Sequence, residues 1–303
     1  MPLSPEEFQR RLEEISVYDD EPYERCQIIH EAEAEHGNEM LQFRGFLALS
    51  DAFKSFFLET IELFNTDCVP KVVDPVSEHF AIYTQRLAHS FQSVCGAERL
   101  ALCGYPLQGY TILRNVFDNL VLTSAAVQKY TDFYSIEGIV PGSPVEEKSM
   151  KKLRKETEYE VQRQMTGSKS GLTQVALEQL AKIDKLYDYE VHGARLSFSA
   201  SQDWLRGQAS LPVVTKYNER HSAMFMNRYS ENCWLIHRLL PLMQPTNVAH
   251  LNDEWKKKWR IIDDSFSTMV FSLTEQFGKP VGAAVVEFVQ TKFPFNADSH
   301  FPL

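Results

Sequence analysis

Residues 39–64 read EMLQFRGFLALSDAFKSFFLETIELF and set Phe43, Phe46, Leu47, Phe53, Phe56, Phe57, Ile61 and Phe64 at three- and four-residue steps. That spacing lines apolar side chains along one face of a 3.6-residue turn, and it predicts a long amphipathic helix. Working outward gives more helix. Toward the N-terminus, Ser4 reads as an N-cap with Pro5 at the first helical position and Glu6 and Glu7 in the first turn. A second helix is expected from Glu21 to about Glu35, stopping at His36-Gly37-Asn38. Toward the C-terminus, Asp67-Cys68-Val69-Pro70 ends the 39–64 helix, and another should cover Pro75 to Cys103. Gly104-Tyr105-Pro106 marks a break before a helix from Leu107 to about Tyr134. Residues 136–144 hold two glycines and two prolines and read as a loop. Further helices are expected over 145–164, 172–191, 212–242, 247–277 and 280–291, with an irregular piece at 193–211.

Alternating strand patterns bounded by hairpin turns are missing, as are strand–helix alternation and any repeat of fixed period. The expectation is an all-α fold, an extended helical bundle of long antiparallel helices. Residues 1–66 would supply N-terminal helices packed on a main bundle over 67–303, the whole forming one continuous globular unit.

Composition narrows the function classes. The chain has 303 residues, 44% apolar and 24% charged, which excludes collagen, low-complexity repeats and wholesale disorder. Its net charge of −10 argues against unspecific nucleic-acid binding by the whole surface. Cys26, Cys68, Cys95, Cys103 and Cys233 are odd in number and form no CxxC pair, so neither a disulfide framework nor a zinc ribbon is expected. The first residues lack an apolar signal core, and no stretch approaches ~18 uninterrupted apolar residues. These features predict a cytoplasmic protein with no membrane partner.

Motif searches exclude several chemistries. There is no GxxxxGK[ST], GxGxxG, GxSxG or HExxH. A ferritin-like di-iron bundle needs an ExxH on each of two helices, and only Glu33 to His36 fits. No metal or cofactor is therefore expected.

Two segments stand out. On a helical wheel, Gln108, Thr111, Arg114, Asn115, Asp118 and Asn119 fall within one arc of about 140°, opposite Leu113, Val116 and Leu120. Arg114 and Asp118 are four apart and can pair along the helix. The stripe carries no Lys or Glu, the usual residues of a solvated face, so it reads either as a wet helix face or as one wall of a cleft where Arg114 meets an anion. The second segment is Tyr187-Asp188-Tyr189-Glu190-Val191-His192-Gly193. Gly193 suits the left-handed position after a helix, which puts His192 in the last turn. His192 is either a dipole-stabilised terminal residue or a general acid–base group, since histidine titrates near neutrality.

The pieces LALCGYPLQGYTILRNVFDNL and LYDYEVHGARLS together resemble bacterial helical proteins of the DUF5677 type, which in turn look like distant relatives of the HEPN helical bundles. The resemblance covers roughly residues 80–240. It implies a homodimer that binds or cleaves single-stranded RNA without a metal, in bacterial defence or stress response. Arg114 would stabilise the charged phosphorane and His192 would move a proton, with Asn115, Asp118, Asn119 and Tyr189 binding substrate. The HEPN Rx4-6H motif is missing from the resembling region; Arg25 to His30 fits it, but lies outside. The other reading is a non-catalytic helical module that binds a protein or ligand and dimerises.

Two basic runs bear on partners, Lys148 to Lys155 and Trp255-Lys256-Lys257-Lys258-Trp259-Arg260. Basic residues interleaved with aromatics can hold single strands by phosphate contact and stacking. Acidic neighbours (Glu146, Glu147, Asp253, Glu254, Asp263, Asp264) favour solvated faces instead.

Overall fold

A computed structural model describes residues 4–16, 22–67, 75–127, 217–243 and 251–275, together with 283 and 286. The described residues form α1 (Pro5–Ser16), α2 (Pro22–Glu39), a 3₁₀ turn (Met40–Phe43), α3 (Arg44–Asp67), α4 (Pro75–Leu102) and α5 (Pro106–Val127). After these come α6 (Glu219–Leu239), a second 3₁₀ turn (Leu240–Met243) and α7 (Asp253–Glu275). No strand occurs among the described residues, and the fold there is all-α. None of their helices is long and apolar enough to cross a membrane.

Local chemistry explains the boundaries. The Glu7 amide donates to Ser4 Oγ at 3.2 Å, so α1 starts at the expected cap. At the α4–α5 break, Gly104 takes φ 92° and its amide donates to the Ala101 carbonyl at 3.1 Å, while Tyr105 N–H donates to Leu100 O at 2.8 Å. Those bonds occupy carbonyls that a helix end would leave bare, and Pro106 opens α5. Asn218 Oδ1 accepts from the His221 amide at 3.0 Å and caps α6.

One expected stop is absent. The chain runs helically through His36-Gly37-Asn38 and only tightens into the 3₁₀ turn before α3. Gly37 keeps a helical backbone there; a Cβ on it would lie 3.4 Å from the Leu102 carbonyl. This glycine does not terminate a helix, and α2 passes the end of α4 there at ordinary contact distance.

The core is built where α3, α4, α5, α6 and α7 meet. Phe53, Phe56, Phe57 and Phe64 of α3 are buried, as the 39–64 periodicity requires. Phe57 stacks flat on Phe91 of α4, with ring centres 4.0 Å apart. From α7, Trp255, Trp259, Ile262, Phe266 and Val270 form the inner stripe. α6 lies between the others and is buried on nearly every side from Phe225 to Leu240, including the polar Asn227, Arg228, Ser230, Asn232, His237 and Arg238.

Trp234, His237 and Arg238, buried on α6, find partners on α7. Arg238 Nη1 donates to both oxygens of Asp263, at 3.0 and 2.8 Å, and Trp234 Nε1 donates to Asp263 Oδ1 at 2.7 Å. His237 Nε2 lies 2.9 Å from the Trp259 carbonyl, and Trp259 Nε1 donates to the His237 carbonyl at 3.1 Å. A carbonyl only accepts, so the His237 proton sits on Nε2. Burial pushes the His237 ring down to about 3, which keeps it neutral.

Candidate functional site

The α5 stripe is the expected site that the described residues carry most fully. Arg114 Nη1 lies 3.4 Å from Asp118 Oδ1, one turn along the helix, and each side chain keeps 24% of its surface exposed. Asn115, Thr111 and Gln108 are exposed, while Asn119 is half-buried. On the opposite arc Tyr110, Leu113, Val116 and Leu120 enter the core. The stripe therefore runs along the flank of the bundle, neither fully wet nor sealed.

Its edge meets α6 at Phe117. The Arg114 guanidinium lies 6.0 Å from the Phe117 ring centre, and that of Arg228 lies 4.9 Å from it. Arg228 is buried and paired with Glu231 at 2.6 Å. Two guanidiniums thus border one ring, which attracts cations through its face. Asp118 and Glu231 hold them as fixed charges in a partly dry seam, where electrostatics are stronger than in bulk water. Of the two, Arg114 is the one a ligand can reach.

Tyr189 and His192 lie outside the described residues, as do the helices expected over 145–164 and 172–191 and the basic run 148–155. Elsewhere the structure separates the alternatives. His30, of the Rx4H spacing, is exposed with Nδ1 at 3.6 Å from Glu33. Glu33 accepts from the Tyr105 hydroxyl at 2.9 Å, and His36 is buried. Among the described residues no three metal-ligating side chains come together. The 255–260 run resolves as a charged face over an apolar stripe. Trp255 and Trp259 are buried, Lys256 pairs with Asp253 at 3.1 Å, and Lys258 pairs with Glu59 at 2.9 Å. Its tryptophans cannot stack on bases.

A second cluster, unforeseen in the sequence, joins α3, α4 and α6. Lys54 pairs with Glu98 and with Asp51 at 3.2 Å, and Ser50 donates to Glu98 Oε1 at 3.2 Å while bonding the Tyr229 hydroxyl. Burial pushes the Tyr229 phenol and the Cys233 and Cys95 thiols upward, so all stay protonated. Burial would lower the Lys54 ammonium, but hydrogen bonding and charge from Glu98, with Asp51 adding, leave it raised. The cluster offers neither a thiolate nor a free amine, and its chemistry is that of a lock between helices. Only the four-residue spacing of Ser50 and Lys54 hints at it in the sequence; Glu98 and Tyr229 come from distant helices.

Replacing Asp118 by alanine should destabilise the protein by roughly 1 kcal/mol, because a partly buried guanidinium loses its carboxylate. Denaturant melts check this, and a change under about 0.3 kcal/mol would show that water already screens the pair. Comparison with protein-family models, with curated proteins and with solved structures finds no match for this chain.

Proposed function

We propose that this chain is a HEPN-like, RNA-binding helical protein in which Arg114 engages a phosphate of single-stranded RNA and His192 moves the proton of a metal-independent cleavage. The observation that supports the reading is the seam itself. A partly exposed arginine is held by Asp118 beside Phe117 and Arg228, on a stripe of Asn and Asp side chains free of Lys and Glu. A positioned guanidinium supplies the charge that a metal would otherwise supply to a transferring phosphoryl group. Asn115, Asp118 and Asn119 line the approach and, with Tyr189, bind the substrate. The protein acts as a cytoplasmic homodimer, in keeping with the resemblance.

Gel-shift titration with mixed single-stranded RNA at low salt, in chelator, tests the binding step, because phosphate contacts are strongest there. Wild type should shift RNA, and Arg114→Ala should weaken binding about tenfold, the loss of one charge-assisted contact of about 1.4 kcal/mol. Absence of any shift by wild type would remove the reading. The second reading, a non-catalytic module that dimerises, draws on the exposure of Leu41, Leu58 and Ile261, each more than half open to solvent. It then stands alone.

A further inference from the structure

His36 is the least expected buried group of the N-terminal region. It sits near the end of α2 with 1% of its surface exposed. Its ring packs 5.3 Å from that of Tyr217, which precedes α6. Gln42, in the 3₁₀ turn, donates to the Tyr217 hydroxyl and to the Glu39 carbonyl at 3.1 Å. One turn before His36, Glu33 accepts from Tyr105 at 2.9 Å, and one residue after it Gly37 approaches the Leu102 carbonyl. These contacts clasp α2 to the α4–α5 turn and to the entrance of α6, and His36 is at their centre. Neither ring nitrogen makes a well-formed hydrogen bond, although the Ala101 carbonyl lies close enough to favour the protonated ring slightly.

We propose that His36 is the pin of an acid-released latch: as the pH falls below about 6.5, a proton on its ring undocks α2 from the α4–α5 turn and Tyr217 while the core of α3 to α7 stays folded. The physical cause is desolvation. A charged imidazolium sealed behind Tyr217 has lost its water and gains too little from the groups around it. The charged and titratable groups beside it are Glu39 on α2 and Tyr217, itself under the influence of Glu219 at the start of α6, with the Glu33–Tyr105 pair and its neighbour Cys103 one turn back at the α4–α5 turn. Burial lowers the His36 ring below its ordinary value, and the Ala101 carbonyl and Glu39 offset that only in part. The undocked state therefore binds more protons, and docking weakens as pH falls, by up to about tenfold per pH unit for one proton. Carboxylates protonate nearer 4.3, so the interval from about 6.5 to 5 belongs to histidine.

Hydrogen exchange of the full chain, corrected for intrinsic rates, tests the latch at pH 7.5, 6.0 and 5.0. Peptides spanning 27–39 should lose protection by up to about tenfold between pH 6.0 and 5.0, while α7 amides and tryptophan emission stay native. His36→Phe keeps the ring packing and cannot titrate, so α2 should stay docked at pH 5.0. His30→Gln, at the exposed histidine of the same helix, should leave the release intact. The proposal is overturned if α2 protection is equal at pH 7.5 and 5.0, if α2 and α7 open together, or if His36→Phe releases α2 on acidification as wild type does. Should His36→Phe fail to dock at pH 7.5, the order of opening in wild type decides alone.

Discussion

Asp263→Ala is expected to lower the unfolding free energy by about 3–5 kcal/mol, the loss that follows when a buried ion pair is deprived of one partner. The Asp263 carboxylate takes two contacts from Arg238 Nη1 and one from Trp234 Nε1, and both of its partners are on α6. Burial raises the Asp263 carboxyl despite the opposing pull of Arg238 and Trp234, so desolvation is the larger effect and the pair is costly to keep. Removing the carboxylate alone thus takes from Arg238 and Trp234 the acceptor they share in the buried interface between α6 and α7. Replacing Arg238 and Asp263 together by apolar residues of similar volume should recover most of the loss, because the cost of burying the two charges goes with them. Urea melts of the single and double variants measure both effects. A single-variant loss under about 1 kcal/mol would mean that water reaches Arg238.

The next largest effect is expected at Gly109. A Cβ there would lie 2.7 Å from the Ala97 carbonyl oxygen and 2.8 Å from Phe225 Cε2. The first is backbone of α4 and the second a core ring of α6, so neither can yield cheaply. Gly109→Ala should cost a net 1–3 kcal/mol or so, overpacking outweighing the roughly 1 kcal/mol that alanine gains in a helix. Gly96, on the exposed side of α4, has nothing within 4 Å of an added Cβ. The same substitution there should stabilise by about 0.5–1 kcal/mol. Opposite signs at the two glycines would confirm that α4, α5 and α6 meet at Gly109; equal signs would contradict it.

The described helices are legible because periodicity is a local signal. The 39–64 aromatic steps, the Ser4 cap and the Gly104 break each depend on residues a turn or two apart. The stop expected at Gly37 does not occur: α2 continues past it beside Leu102 of α4, a residue far along the chain that no local signal announces. α6 was harder for a related reason. A helix was expected over 212–242, but one buried all round has no polar face to set against an apolar one, so its pattern does not tell which polar groups are buried. The embedded pair His237-Arg238 within WLIHRLL was the available sign that polar groups would be buried and partnered. At the candidate site the α5 stripe and the Arg114–Asp118 spacing were plain on the wheel, whereas Arg228 came from a helix more than 100 residues on. No local pattern announces a cation across that distance.

The most direct test of the central claim is cleavage of mixed single-stranded RNA by the purified protein in chelator, comparing wild type with Arg114→Ala and His192→Ala. The account predicts that wild type cleaves, that His192→Ala abolishes cleavage with RNA binding nearly intact, and that Arg114→Ala weakens both. A proton-transfer group contributes in the transition state, whereas a phosphate-binding arginine contributes before and during it. Cleavage that is absent from wild type, or that persists equally in both variants, would contradict the assignment of Arg114 and His192 to a nuclease.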